Sequence, residues 1–444
     1  MKEGLKMGAN SFKGGVHPYD GKDLSKDKPI VELLPKKDLV FPLSQHIGAP
    51  ANAIVAVGDH VLAGQKIGEN CGFVSASVFS SVSGTVKAIE PHLVASGLMI
   101  PSIIIENDHQ YQHVTYHAID DLDELSSEEI IRRVQEAGLV GMGGAGFPTH
   151  VKLSPKEASK IEYIIANCAE CEPYITSDYR KMMEEPAHLV EGIKIILRLF
   201  EHAQGIIAIE DNKPECITLM RSLVENEPRV SVMALPTKYP QGSERQRIFA
   251  TTQRSIDSKR LPADAGCIVN NTETIMDLYT AVKEGRPVIN DVITVSGDAI
   301  VDPQNFRVLV GTSYDELIEA AGGYKLTPKK VISGGPMMGC PLFNTDVPVT
   351  KTSSCILALS KDEIEQYETT ACINCGRCVE VCPSHLIPSR LAKFADHDQI
   401  QQFEKMDGIE CIECGCCSYV CPAKKHLAQS IRSMRKIALA NRRK

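Results

Sequence analysis

The run Cys372-Ile-Asn-Cys375-Gly-Arg-Cys378-Val-Glu-Val-Cys382-Pro383 constrains this chain more than any other feature, because it occurs twice. The second copy is Cys411-Ile-Glu-Cys414-Gly-Cys416-Cys417-Ser-Tyr-Val-Cys421-Pro422. Both have C-x2-C-x2-C-x3-C-P spacing, the pattern of thiolates that hold two [4Fe–4S] clusters. Gaps of two residues let three thiolates of a tight loop converge on one cubane, with the loop's N–H groups aimed at its sulfides. The fourth cysteine lies beyond its own loop's reach and ligates the other cluster. The spacing therefore assigns Cys372, Cys375, Cys378 and Cys421 to one cluster, and Cys411, Cys414, Cys417 and Cys382 to the second. Zinc would close each site with four ligands and leave the Cys-Pro ends unexplained. Cys416 breaks the symmetry of the two copies and reads as a bystander of its loop.

Eight of the sixteen cysteines occupy those motif positions, so they argue for metal rather than disulfides, and for a reducing compartment. The 444 residues suffice for about three domains with real cores. A formal charge of −8 is the opposite of what a nucleic-acid-gripping protein carries, so no nucleic-acid partner is expected. Met1 to Gly15 lacks the apolar core of a secretory signal. The most apolar stretch, Val190 to Ile209, is interrupted by Glu191, Lys194, Arg198, Glu201 and His202, so no transmembrane segment is expected.

A polar N-terminal arm leads into short β-type runs with turn residues between them from Val31 to about Asn107, as in a small barrel or sandwich. Val57-Gly-Asp and Ser83-Gly-Thr-Val resemble biotinyl and lipoyl carriers, but no lysine occupies the hairpin tip, so covalent carriage is not expected. From Ser126 the pattern is α/β. A capping box, Ser126-Ser-Glu-Glu129, opens a helix through Ala137. Strands follow at Ile161–Ala166 and Ile206–Ile209, with a helix between them at Ala187–Phe200, which implies a largely parallel sheet with ligands at its strand ends. Val288 to Leu342 forms a further β-rich unit with a helix at Tyr314–Ala321. Its loop Ile332–Gly339 either brings glycines close to something or turns sharply.

Cluster-bearing loops need a donor and an acceptor. The run Gly141-Met-Gly143-Gly144-Ala145-Gly146-Phe147 permits close backbone approach and leaves N–H groups free for an anion, and Lys152 follows with a fixed charge. Asn167, Glu170 and Glu172 stand at a strand's carboxyl end, where two carboxylates suit ribose hydroxyls or flank a nicotinamide. Asn270, Asn271 and Thr272 form a second polar strand end. Cys168 and Cys171 make a C-x-x-C that reads as two thiols lining a ligand loop rather than a redox pair.

These elements resemble the FMN- and NADH-binding parts of the flavoprotein subunit of respiratory complex I, with Met142, Ala169 and Cys171 where that family has Arg, Asp and Ser. Over almost the whole chain the combination is similar to the C subunit of Rnf complexes. It comprises Gly14-Gly-Val-His17-Pro18, Pro42-Leu-Ser-Gln45-His46, the glycine run, Pro236-Thr-Lys-Tyr-Pro240-Gln-Gly-Ser-Glu244, Gly334-Gly-Pro-Met-Met and the cysteine pair. The resemblance implies a multidomain α/β plus β chain. Residues 1–110 would form a barrel-sandwich domain with its arm, and 120–288 a Rossmann-like FMN/NADH domain. A β-grasp soluble-ligand-binding domain would follow at 289–350, then a bacterial-type two-cluster ferredoxin domain at 360–430 and a basic tail at 431–444.

The same resemblance implies that Gly141, Gly143, Gly144, Ala145 and Gly146 line FMN with Lys152 at its polar groups, and that Phe147 lies near the dinucleotide. Asn167, Asn270, Asn271 and Thr272 would hold the phosphate or ring edge, and Glu170 and Glu172 would lie beside flavin and nicotinamide. It implies no protein nucleophile, NAD(H) as substrate, and FMN converting a hydride into single electrons for iron–sulfur clusters. The chain would sit peripherally on the cytoplasmic face of the cell membrane, with integral Rnf subunits and a ferredoxin-accepting subunit as partners that move Na⁺ or H⁺. Arg432 to Lys444, with six basic residues and no acid, reads as a solvated tail helix or a docking surface for partners or anionic lipid. A soluble cobalamin reductase of microcompartments shares the flavin and ferredoxin modules, but is expected to begin nearer the glycine run. An electron-carrier scaffold without an NADH site is the non-enzymatic reading. The A subunit of sodium-pumping quinone reductases is similar N-terminally and would lack both cysteine runs.

Overall fold

The computed structural model describes residues 10–362 and 364–442. Readings that fall on residues 1–9 of the arm and on the last two residues of the tail lie outside the described residues.

The N-terminal unit is two small sheets closed on a shared apolar interior. One is antiparallel, in the order Leu39–Pro42, Met99–Asn107, Gly84–Leu93, His60–Val61. The other is Asn52–Ala53, Lys66–Glu69, Val78–Phe79. Alternation places Leu39 and Phe41 inward against Ile103 and Ile105, all fully buried.

The second unit carries four parallel strands in the order Val230–Leu235, Gln204–Glu210, Tyr163–Cys168, Cys267–Asn271. In chain order that is 3-2-1-4, so the order reverses between Tyr163–Cys168 and Cys267–Asn271. A crevice therefore opens at the carboxyl ends of those two strands. Ser126 caps the helix Ser127–Glu136, its hydroxyl accepting from Glu129 N at 3.2 Å. The expected helix at 187–200 is Pro186–Arg198, with proline in its first turn. Gly192 of this helix lies against the Ile275 carbonyl of Thr272–Tyr279, where a methyl group would not fit.

The third sheet draws in strands from both sides of residues 289–350. Its order is Val31–Leu33, Gln304–Leu309, Asn290–Ser296, Cys355–Leu359, Lys330–Ser333, Cys340–Leu342. Val31–Leu33, read from sequence as the start of the N-terminal β unit, pairs instead in parallel with Phe306–Val308. It is a largely exposed edge strand, held by backbone bonds and the Glu32–Arg307 pair at 3.2 Å, so it carries no burial pattern to betray its partner. Cys355–Leu359 is a continuously apolar run because it is central and buried on both faces.

The cysteine-rich unit packs Pro388–Asp396, Ile400–Lys405 and Leu427–Arg442 around Leu391, Phe403, Ile431 and Met434. The segment read as a separate basic tail is thus the continuation of a structural helix. Its Ile431, Met434 and Ala438 are buried, while Arg432 and Arg435 hold Glu413 at 2.8 and 2.9 Å. The arm threads between units. Gly15 N donates to Val381 O at 2.8 Å, and Val16 exchanges backbone bonds with Tyr239 at 2.8 and 2.9 Å. Gly14, at φ +88°, lies so close to the Cys382 backbone that a Cβ would come within 2.9 Å of it.

Candidate functional site

The glycine run is a loop closed at its base. Val140 bridges Pro148, and Gly141 N donates to Phe147 O at 2.9 Å. Its flanks are tied down from three units. Met142 N donates to Thr274 Oγ1 at 2.9 Å, Gly143 N to Lys351 O at 3.3 Å, and Gly146 O accepts from Ile47 N at 3.1 Å. Gly143 and Gly146 take φ of +62° and +69°, which glycine adopts without strain. Between those anchors Gly143, Gly144 and Ala145 are exposed, and a Cβ on Gly144 would meet nothing closer than 3.9 Å. Backbone therefore stands free at the open end of the crevice.

Lys152 donates its ammonium to Val269 O at 2.9 Å, beside Asn270, and lies 3.7 Å from Glu244. Asn270 is buried, and among the described residues both atoms of its amide lack a partner. The same holds for Gln241, which follows Val230–Leu235, and for Thr149 Oγ1, His150 Nδ1 and Arg247 Nε. Unsatisfied buried polar atoms are costly, and these sit in segments at this end of the sheet. Asn270, at the end of Cys267–Asn271, has an amide that a bound polar ligand would pair, and in that respect the residues present fit FMN.

Other expected ligands are engaged by the protein itself. Asn167 donates to Gly242 O at 2.8 Å and accepts from Arg247 at 2.7 Å. Asn271 caps the helix Thr272–Tyr279 by accepting from Glu273 N at 2.8 Å, and Thr272 Oγ1 donates to Asn167 O at 3.3 Å. Glu170, at φ +48°, accepts from Asp178 N at 2.7 Å and lies 3.7 Å from the Lys22 ammonium. Phe147 is half-buried beside the loop. Glu172 accepts from Met337 N at 3.2 Å, and the Tyr239 hydroxyl lies 3.4 Å from it. Burial pushes its carboxyl up to about 7, against those contacts and Lys22. Gly335 packs directly on that carboxylate, and Gly334 has φ of +93°, so the Ile332–Gly339 loop does both things its glycines allowed. Burial also pushes the Cys168 and Cys171 thiols up to about 12, away from the low range that favours a thiolate.

The two cysteine loops share one backbone trace. Asn374 and Glu413 take φ of +54° and +60°, Gly376 and Gly415 +80° and +78°, and His385 and Lys424 +55° and +50°. Cys382, Cys411, Cys414 and Cys417 line one small cavity, with Leu386, Leu391 and Ile431 as its apolar wall. Glu413 N donates to Cys411 Sγ and Leu386 N to Cys382 Sγ, each at 3.4 Å. The crossed set deduced from spacing therefore shares one chamber, and its chemistry fits a [4Fe–4S] cluster. Cys372 and Cys375 are exposed, while Cys378 and Cys421 are half-buried. Cys416 is buried and also reaches this cavity, while it packs with Val16, Tyr239 and Cys414 where the units meet. Sequence reasoning missed Tyr239, Arg247, Gln241 and Lys22. The signal available for the first three was their place in or just after the Pro236–Glu244 run.

A parallel sheet with a glycine loop at its switch point, joined to paired cysteine loops, defines a flavin- and iron–sulfur-type electron-transfer protein. Family models match it unit by unit: an RnfC barrel sandwich hybrid domain over 10–110, a Nuo51 FMN-binding domain over 134–280, an SLBB domain over 292–341, and a 4Fe-4S dicluster domain over 371–425. The C subunit of the proton-translocating ferredoxin:NAD(+) oxidoreductase complex of Clostridium ljungdahlii is 43% identical, over 88% of this chain and 86% of that protein. The corresponding C subunit of the Na(+)-translocating complex of Acetobacterium woodii is 41% identical, over 98% of each. That of the ion-translocating oxidoreductase complex of Vibrio cholerae is 38% identical, over 89% of this chain and 52% of that longer protein. The chain belongs to the family of C subunits of ion-translocating ferredoxin:NAD(+) oxidoreductase (Rnf) complexes.

Proposed function

We propose that this chain is the peripheral NAD-linked subunit of an Rnf complex, exchanging electrons between NAD(H) and its partner subunits, which couple the transfer to Na⁺ or H⁺ movement. The cytoplasmic face of the cell membrane is its place in this reading, and no helix among the described residues is long and apolar enough to cross a membrane. FMN bound at the crevice supplies the conversion between a hydride pair and single electrons. The protein's part is positional. Gly143 would line the flavin, Gly144 and Ala145 would offer it backbone N–H groups, and Asn270 and Gln241 their unsatisfied amides. Lys152 would set positive charge at the strand end, and Glu170 and Glu172 would flank the nicotinamide. Cys382, Cys411, Cys414 and Cys417 would hold the cluster nearer the crevice. The other set, Cys372, Cys375, Cys378 and Cys421, would hold the cluster nearer solvent and so nearer an electron partner.

The exposed tip of the glycine loop, together with the unpartnered amides of Asn270 and Gln241, carries this reading. The test is anaerobic purification with flavin and iron analysis, followed by NADH titration. The expected result is stoichiometric flavin, iron for both clusters, and bleaching of the flavin by NADH. A Gly144→Val variant is expected to keep its iron and fold and lose its flavin, because the space it fills is empty of protein atoms. Iron without flavin in the unaltered chain overturns the reading.

A further inference from the structure

Between the parallel-sheet unit and the six-stranded sheet lies a set of buried ionisable side chains that the flavin and cluster sites do not use. Lys181, on Ser177–Glu184, is ion-paired with Glu273. Asp277 and Asp291 add their charge beside the same ammonium. Asp291 is fully buried, and no donor among the described residues reaches either of its oxygens. Glu273 accepts from Val292 N at 3.3 Å as well as from Lys181, and burial with the Glu273 charge nearby holds the Asp291 carboxyl well above its ordinary range. Oδ2 of Asp277 is likewise enclosed and unpartnered. One lysine among three carboxyls leaves the set short of positive charge. Burial pushes Asp277 up to about 7, with Lys181 and Arg307 opposing and Glu273 and Glu185 adding to the rise. Lys351, whose ammonium donates to Ser77 O and Gly138 O, also feels the Asp277 charge.

The set has two ends. At one, Asp277 and Lys181 line a polar cavity of about 250 Å³ between the two units, large enough for several waters. Arg307 is held there by Glu32 and Glu185, and Arg286 by Glu284 at 3.0 Å, which leaves Asp277 as the acid free to exchange a proton. The helix carrying Asp277 continues into a π-type turn, Thr280–Glu284, at the cavity's edge. At the other end, Asp178 lies within electrostatic range of Glu273, Lys181 and Glu170. Asp178 accepts from Asn271 Nδ2 at 2.8 Å, and its own N–H reaches Glu170 at 2.7 Å. Buried acids thus run from interdomain water to the two strand ends of the crevice.

NAD-linked electron transfer supplies a proton for such a route to carry. When the C4–H bond of dihydronicotinamide breaks and its two electrons pass singly to iron–sulfur acceptors, NAD⁺ forms and one proton is left over. The reverse reaction consumes one. We propose that Asp178, Glu273 and Asp277, organised around Lys181, carry that proton between the crevice and the water of the interdomain cavity. This rests on the function proposed above.

The test is infrared difference spectroscopy of the full-length holoprotein, oxidised against NADH-reduced, in light and heavy water, with the visible spectrum of the same sample recording flavin. The expected result is a protonated-carboxyl band that changes on reduction, shifts in heavy water and is lost in Asp277→Asn. That variant should also reduce ferricyanide with NADH roughly a hundred-fold more slowly, with a larger solvent isotope effect and an unchanged KM for NADH. Flavin bleaching without any carboxyl change in the unaltered protein overturns the proton route and leaves the function standing. Absence of bleaching overturns the function instead. Should Asp277→Asn fail to hold flavin, the unaltered protein's spectrum still decides.

Discussion

The Tyr239 hydroxyl donates to the carbonyl of Cys414 at 2.8 Å, and the same oxygen lies 3.4 Å from the Glu172 carboxylate. One buried side chain therefore joins the strand end of the parallel-sheet unit to the loop that would hold a cluster, with Val16 of the arm packed alongside. Tyr239→Phe keeps the packing and removes the donor. The expected cost is about 1 kcal/mol of stability, read by denaturant unfolding, together with slower reduction of the cluster centres after rapid mixing with NADH.

Glu172 gives the junction a pH dependence. Its carboxyl binds a proton more tightly in the fold than in the unfolded chain, where it titrates near 4.5. The favourable contribution is complete below about 4.5 and is lost as pH rises through about 7. Unfolding of the flavin-free chain between those limits should show stability falling by a few kcal/mol at most. Glu172→Gln should flatten that slope, and an identical slope in the variant would count against it.

Gly146 tests the glycine loop from its anchored side. At φ +69°, with Gln45 O and Thr352 Cγ2 each 2.9 Å from the place of a Cβ, Gly146→Ala must shift the loop base. The backbone conformation alone costs about 1–2 kcal/mol. A lower melting temperature accompanied by loss of flavin is expected, in contrast to Gly144→Val, which should lose flavin at unchanged stability.

Cysteine replacement separates ligands from neighbours. Cys382→Ser should remove the cluster of the Cys411 loop although it lies in the other motif, because its sulfur faces the chamber of Cys411, Cys414 and Cys417. Cys416→Ser should retain the iron of both clusters. Iron and sulfide analysis with low-temperature EPR reads both, and full iron retention in Cys382→Ser would refute the crossed arrangement.

The C-terminal helix contributes through packing more than charge. Truncation after residue 430 removes Ile431, Met434 and Ala438 from the cluster unit's core and the arginines that hold Glu413. Loss of iron from that unit is the expected outcome. Neutralising Arg432 alone, an exposed pair, should cost well under about 1 kcal/mol.

The amino-acid sequence by itself determined what depends on neighbours in the chain. Cysteine spacing is what proposes the ligand sets, Ser126 and Glu129 announced a helix start, and the Pro186–Arg198 helix and its flanking strands were legible within a few residues from their apolar period. Tertiary structure decided what depends on distant partners. Val31–Leu33 left its expected sheet because an exposed three-residue edge carries no burial pattern. Asn167, Asn271 and Glu170 became buttresses and caps while Asn270 kept its amide free, a division of nearly identical polar residues that only their neighbours in space impose. Tyr239 meets Cys414 across 175 residues, and Lys181 meets Glu273 across 92. Hydrogen bonds and buried charges are satisfied by proximity in space, and at such separations the linear order of residues holds no record of it.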